Sequence, residues 1–153
     1  EGVKRPLLLG GKAAETFVLD RANSDCPPAA YHIVVIPGNP GMVDFYIPFI
    51  QYLSAHFKHR IPISAISHAG HTNRLGYSAE DILRDTGVYS LADQIEHKAY
   101  YLEHLQQEHD QQQTQLCLTP STLNFVLIGH SVGSYVCLKL RKMKRFNIAA
   151  VII

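Results

Sequence analysis

Gly129-His130-Ser131-Val132-Gly133 follows directly on the apolar run Leu123-Asn124-Phe125-Val126-Leu127-Ile128. A Gly-x-Ser-x-Gly segment set between a strand and a helix is a nucleophile elbow, the sharp turn that lifts a serine hydroxyl clear of a sheet. Ser131 is therefore the candidate nucleophile, and the chemistry implied is acyl transfer to water. Gly129 and Gly133 suit the turn because a side chain at either would collide with the neighbouring strand or helix. Attack on a carbonyl creates an oxyanion, and the Val132 N–H, near the start of the following helix, is placed to hold part of that charge. A Gly-flanked serine at an ordinary strand–helix turn of a nucleotide-binding fold is the plainer alternative. A phosphate loop would carry more glycines, or a Lys after the last Gly, and this segment has neither.

A second oxyanion donor in such hydrolases comes from a loop after an early strand. Pro37-Gly38-Asn39-Pro40-Gly41 follows the β-branched run Tyr31 to Ile36. Pro40 has no N–H to donate, so the Asn39 N–H is the candidate, with Gly38 allowing close backbone approach. His130 is adjacent to Ser131, and neighbouring side chains diverge at a sharp turn, so packing or orientation is its expected role rather than that of base. His68 and His71 stand three apart in a loop with no third ligand in view, so no metal is expected there. No cofactor is implied.

The nucleophile needs a base, and in this fold the triad runs Ser, then Asp or Glu, then His along the chain. No Asp, Glu or His follows Ser131, and Asp81, Asp85 and Asp93 come too early. The triad partners are therefore expected beyond residue 153.

The elements that must carry these residues are legible as alternating strands and helices. Leu7 to Leu9 and Thr16 to Leu19 read as strands with Gly10-Gly11 as the turn; Tyr31 to Ile36, Ile61 to Ser67, Leu123 to Ile128 and Asn147 to Ile153 also read as strands. Asn23 to Pro28 reads as a loop. Phe45, Phe49, Tyr52, Leu53 and His56 recur at helical spacing, with Pro48 in the first turn. A short helix is predicted over Ala79 to Arg84. Ser90 to Asp93 resembles a capping box opening a helix striped by Leu91, Ile95, Leu102 and Leu105, with His97, His104 and His109 on or near its polar side. Gln106 to Gln115 reads as a polar connector. Gly133 to Lys144 is a helix, its Lys139, Arg141, Lys142, Lys144 and Arg145 complementing the C-terminal dipole. The pattern predicts an α/β fold with a mostly parallel sheet, a single domain over residues 1–153.

Hydrophobic residues make up 46% and charged residues 18% of the 153, enough for one real core. A net charge of +1 gives no field that would recruit nucleic acid. No apolar run approaches the roughly 20 residues of a membrane span. Cys26, Cys117 and Cys137 are odd in number and lack metal spacing, so reduced, partly buried thiols are expected. The first residue is not Met and the last run is apolar, so the chain is expected to be the N-terminal part of a larger domain, cut off after the strand following the nucleophile helix, with the lid and C-terminal strands beyond it. In isolation such a piece would be poorly soluble.

Together, Val35 to Gly41, Phe45-Tyr46, Ser67-His68-Ala69-Gly70-His71 and Gly129 to Gly133 resemble the lipid droplet-associated hydrolase family, from about Tyr31 to the chain end and over the first half of such a protein. The resemblance implies an α/β-hydrolase fold with helices on both sheet faces, and a serine hydrolase with Ser131 as nucleophile. It also implies a lipid ester substrate, with cholesteryl esters proposed for the family, and a place at the cytosolic face of lipid droplets and endoplasmic reticulum. A droplet-associated interaction protein that keeps the hydrolase shell with little turnover is the alternative from another class.

Overall fold

The structure is a computed structural model that describes residues 2–21, 28–72, 78 and 87–153. Its frame is a six-stranded sheet. Val3–Leu9 (β1) and Lys12–Leu19 (β2) form an antiparallel hairpin closed by Gly10 and Gly11, both at positive φ. Both strands start earlier than the apolar pattern suggests, because the polar stretch around Lys4 and Arg5 pairs across to Phe17 and Thr16. Pro6 is tolerated because β1 is an edge strand.

The inner strands are Tyr31–Ile36 (β3), Ile63–Ile66 (β4), Asn124–Gly129 (β5) and Ile148–Ile152 (β6), in the spatial order β1-β2-β4-β3-β5-β6. β3 pairs parallel with both β4 and β5, β6 extends the parallel set, and β2 joins β4 antiparallel. The sheet is thus mostly parallel, as expected, with an antiparallel hairpin on one side. β4 is shorter than the run Ile61 to Ser67, since Pro62 cannot donate to a ladder; its carbonyl accepts the Ile33 N–H instead.

Side-chain alternation along β3 builds two cores. Ile33 and Val35 face one layer, with Val43, Ile50 and Ile63; Val34 and Ile36 face the other, with Leu102, Phe125, Leu127, Val136 and Leu140. The first layer is covered by Ile47–His56 (α1), between β3 and β4; the second by Leu91–Gln115 (α2) and Val132–Met143 (α3). From β3 the chain steps to β4 on one side, then crosses back to β5 on the other. With crossover handedness kept, that reversal puts the two connecting helices on opposite faces.

The helix expected from the spacing of Phe45 to His56 forms as a 3-10 turn, Val43–Tyr46, that runs into α1. Phe45, Phe49 and Tyr52 lie on its outer side, exposed at 67%, 42% and 74%, while Val43, Ile50 and Ser54 lie on its buried side. Three local expectations need correction. Residues Gln106 to Gln115 are not a connector but the last turns of α2. Gln is a good helix former, and His109 and Gln113, one turn apart, are buried and hold Ser121 through their side chains. His97 and His109 accordingly lie inside rather than on a polar face. Ser90 and Asp93 do form the capping box, each side chain taking the other's backbone N–H. Arg145 lies beyond α3 and pairs with Glu96 and Glu103 of α2 instead of the helix end. Cys117 and Cys137 are free thiols, the first exposed and the second buried. The helix expected at Ala79 to Arg84, Asp81, Asp85 and Cys26 lie outside the described residues.

Buried imidazoles tie this core to pH. His32 on β3 bonds Ser64 of β4 at 2.9 Å, and burial lowers its pKa from 6.5 to about 4. The unfolded chain takes up that proton near pH 6.5 while the folded chain resists it to about pH 4, so stability falls as pH drops through that window, by at most about 1.4 kcal/mol per pH unit for this group. Denaturant titrations of the full-length protein between pH 7 and pH 4 should show that fall. His32→Asn should be less stable at pH 7 and have a shallower slope, whereas an unchanged slope would show that His32 does not carry the effect.

Candidate active site

In parallel sheets, ligands collect outside the carboxyl ends of the strands where the strand order reverses. Here that point lies between β3 and β5, and the segments leaving it are Pro37 to Gly41 and His130-Ser131. The two sequence motifs therefore meet, although more than 80 residues separate them. The His130 N–H donates to Ile36 O at 3.2 Å, and a Cβ built on Gly38 would lie 2.9 Å from both His130 O and Ser131 Cβ.

Ser131 occupies the bend between β5 and α3, with φ 54° and ψ −122°. Positive φ on a non-Gly residue costs on the order of 1–3 kcal/mol and persists where the surroundings enforce it. Enforcement comes from three sides. The Gly133 N–H bonds His130 O at 2.9 Å, the Ser134 N–H bonds Ser131 O at 3.0 Å, and Ser134 Oγ donates to Gly129 O at 3.0 Å. Gly129 and Gly133 are required by space: a Cβ on Gly129 would fall 2.6 Å from Ser134 Cα, and one on Gly133 2.2 Å from Ile36 O. The apolar side of α3, Val136, Cys137 and Leu140, anchors the helix on the sheet and leaves Ser131 at its exposed N-terminal end.

Among the described residues, Ser131 Oγ and the N–H groups of Val132 and Asn39 have no hydrogen-bond partner. Val132 N–H belongs to the first turn of a 12-residue helix, where amides lack intrahelical acceptors and the dipole is positive. Asn39 is exposed while Pro37 and Gly38 are buried. Gly38 itself is spoken for, because its N–H donates to Tyr46 Oη at 2.8 Å. The Val132 amide at the helix start and the Asn39 amide on the loop packed against Ser131 are the candidate donors for an oxygen-centred anion.

The turn is braced from behind by the Ser67 to His71 segment. The His68 N–H bonds Gly41 O at 2.8 Å, and a Cβ on Gly41 would strike the His68 ring. A carbonyl can only accept, so His71 Nδ1 carries the proton in its short hydrogen bond to Pro40 O. Burial and the nearby Lys98 lower the His68 pKa to about 3, so this ring is neutral at physiological pH. Gln94 of α2 holds Ala69 by both N–H and C=O, at 2.8 and 3.1 Å. His68 and His71 thus support the loop; among the described residues no group of three or more His, Cys, Asp or Glu side chains is arranged for a metal ion. Gln94 belongs to no motif, and Tyr46 enters the sequence reading only as part of the Phe45-Tyr46 pair in the family resemblance, with no role assigned to its hydroxyl.

The sheet order, the two-sided helix cover and the bend at Ser131 define an α/β-hydrolase fold, and solved structures agree on the fold. An epoxide hydrolase from Vigna radiata superposes with a TM-score of 0.65 over 99% of this chain and 39% of its own, at 13% identity. Potato epoxide hydrolase I gives 0.63 over 99% and 39%, at 12% identity. Residues 29–153 match the lipid-droplet associated hydrolase family, and the chain belongs to that family. Relatives named lipid droplet-associated hydrolase include one from Dictyostelium discoideum, 32% identical over 82% of this chain and 37% of its own length. Another, from Homo sapiens, is 37% identical over 72% of this chain and 32% of its own. The chain therefore spans about a third of these relatives, less than the half expected from the motifs.

Because Ile36 O sits where a Gly133 side chain would be, Gly133→Ala should destabilise the full-length protein by at least about 2 kcal/mol, a melting-temperature loss of roughly 5 °C or more. Leu138→Ala, at a half-exposed position of the same helix, should stay within about 0.5 kcal/mol. Equal melting temperatures for the two variants would show that the strand–helix approach at Gly133 is not tight.

Proposed function

We propose that this chain supplies the nucleophile and oxyanion hole of a serine hydrolase that cleaves lipid carboxylic esters, cholesteryl esters among them. The observation that carries this reading is the left-handed backbone of Ser131 at the β5–α3 bend, with the Pro37 to Gly41 loop pressed against it. Ser131 Oγ attacks the ester carbonyl carbon as a base takes its proton. The carbonyl oxygen becomes an oxyanion between the N–H groups of Val132 and Asn39. Collapse expels the alcohol, which leaves with the proton from the base, and water then releases the acid from Ser131 by the same steps in reverse.

His130 is not assigned as that base: side chains of adjacent residues diverge at a sharp turn, and its Nδ1 faces the Tyr46 hydroxyl at 2.8 Å. The base and its carboxylate partner are assigned to residues following Ile153, a reading supported by relatives about three times as long as the matched segment. Location at the droplet surface is supported by the names of those relatives; the cytosolic face of the endoplasmic reticulum rests on the motif resemblance. No helix among the described residues is long and apolar enough to cross a membrane, which fits attachment by other means.

A fluorophosphonate probe should add its mass to Ser131 of the full-length protein and not to the Ser131→Ala variant. Ester turnover in that variant should fall by at least about 1,000-fold. A folded full-length protein that resists the probe contradicts the reading. If Ser131→Ala keeps every effect of the protein on droplet number or lipid store, the interaction-protein alternative is favoured.

A further inference from the structure

Tyr46 ends the 3-10 turn Val43–Tyr46 and stands at the N-cap of α1. Its hydroxyl joins two segments remote in sequence: it lies 2.8 Å from the Gly38 nitrogen and 2.8 Å from His130 Nδ1. A backbone N–H can only donate, so the phenol oxygen accepts from Gly38. The phenol's own proton is then available to His130 Nδ1, and we take this ring nitrogen as the acceptor. The two rings meet at a tilt, with centroids 6.0 Å apart. Gly38 immediately precedes Asn39, and His130 immediately precedes Ser131. One oxygen therefore holds the residue before the proposed oxyanion donor and the residue before the proposed nucleophile.

We propose that Tyr46 is a positioning residue for ester hydrolysis: its hydroxyl fixes the Asn39 N–H relative to Ser131 Oγ by linking the Gly38 amide to the His130 ring. This rests on the serine hydrolase reading above. Tyr46 also decides which amide serves. By occupying the Gly38 N–H it leaves the next one, that of Asn39, free for the oxyanion. Preorganisation is where oxyanion donors gain their effect, and a misplacement of about 1 Å can cost on the order of 100-fold in rate.

Tyr46→Phe in the full-length protein removes the oxygen and little else. With a soluble p-nitrophenyl ester, and with active serines counted by fluorophosphonate titration, kcat per active serine should fall roughly 10- to 100-fold while KM stays within about twofold. A trifluoromethyl ketone, which forms an oxyanion adduct on serine, should bind more weakly by a factor similar to the loss in kcat/KM. A hydroxyl that only stabilised the fold would lower the number of active serines and leave the rate of each unchanged. If Tyr46→Phe fails to fold, trifluorotyrosine at position 46 keeps the shape and lowers the phenol pKa. Activity should then decline with rising pH as the proton given to His130 is lost, a limb absent from the parent protein.

Wild-type kcat per active serine in folded Tyr46→Phe overturns the proposal. So does an unaltered pH profile for the trifluorotyrosine protein. A parent protein whose Ser131 does not react with the fluorophosphonate overturns the hydrolase reading itself and this proposal with it. A reactive parent with an indifferent Tyr46→Phe overturns only the role of Tyr46.

Discussion

The governing constraint in this molecule is the approach of the β3 end to the start of α3. Ile36 O and Pro37 O occupy the space that a side chain on Gly133 would need, at 2.2 and 2.6 Å from its Cβ position. That contact brings two loops from neighbouring strands to van der Waals distance. It also forces the chain to turn from strand to helix within two residues, His130 and Ser131, and the positive φ of 54° falls on Ser131. A relaxed connection would need an extra residue or two and would carry the hydroxyl away from the Pro37 to Gly41 loop. Backbone strain at Ser131 and the absence of side chains at Gly38, Gly129 and Gly133 are thus one feature described from two sides.

The sheet makes that contact possible. β3 is central, its side chains alternate into both cores, and six residues of it pair in register with β5 from Tyr31–Asn124 to Ile36–Gly129. The register sets the two loop origins level with one another. Helix α3 is pinned by Val136, Cys137 and Leu140 against Phe125 and Leu127, so the N-terminus that carries Val132 cannot swing. Behind the loop, α2 reaches across through Gln94 to Ala69, and His68 and His71 press on Gly41 and Pro40. Stability, site geometry and proposed chemistry therefore share the same contacts. A substitution that loosens the core near β3 would be felt at the hydroxyl.

Much of this is legible in the sequence because local rules and tertiary context agree. β3 is a dense β-branched run, the elbow glycines have a steric reason, and Ser90 with Asp93 spells a cap that forms. Legibility ends where two patterns overlap or where composition misleads. Phe45, Phe49 and Tyr52 show the helical spacing, but the side chains buried along the same stretch are Val43, Ile50 and Ser54. The Gln-rich end of α2 looks like a linker until His109 and Gln113 are seen to hold Ser121. Phe45-Tyr46 is part of the pattern that carries the family resemblance, but the two partners of the Tyr46 hydroxyl come from segments 8 and 84 residues away. No spacing rule announces a bond that depends on the register of β3 with β5.

The most direct measurement is a crystal structure of the full-length protein after reaction with a phosphonate ester. The phosphorus should be bonded to Ser131 Oγ, with its anionic oxygen about 3 Å from both the Val132 and Asn39 nitrogens, the distance expected of oxyanion donors. An adduct at Ser131 whose oxygen faces solvent, or an adduct on another residue, would contradict the assignment of this bend as a catalytic centre.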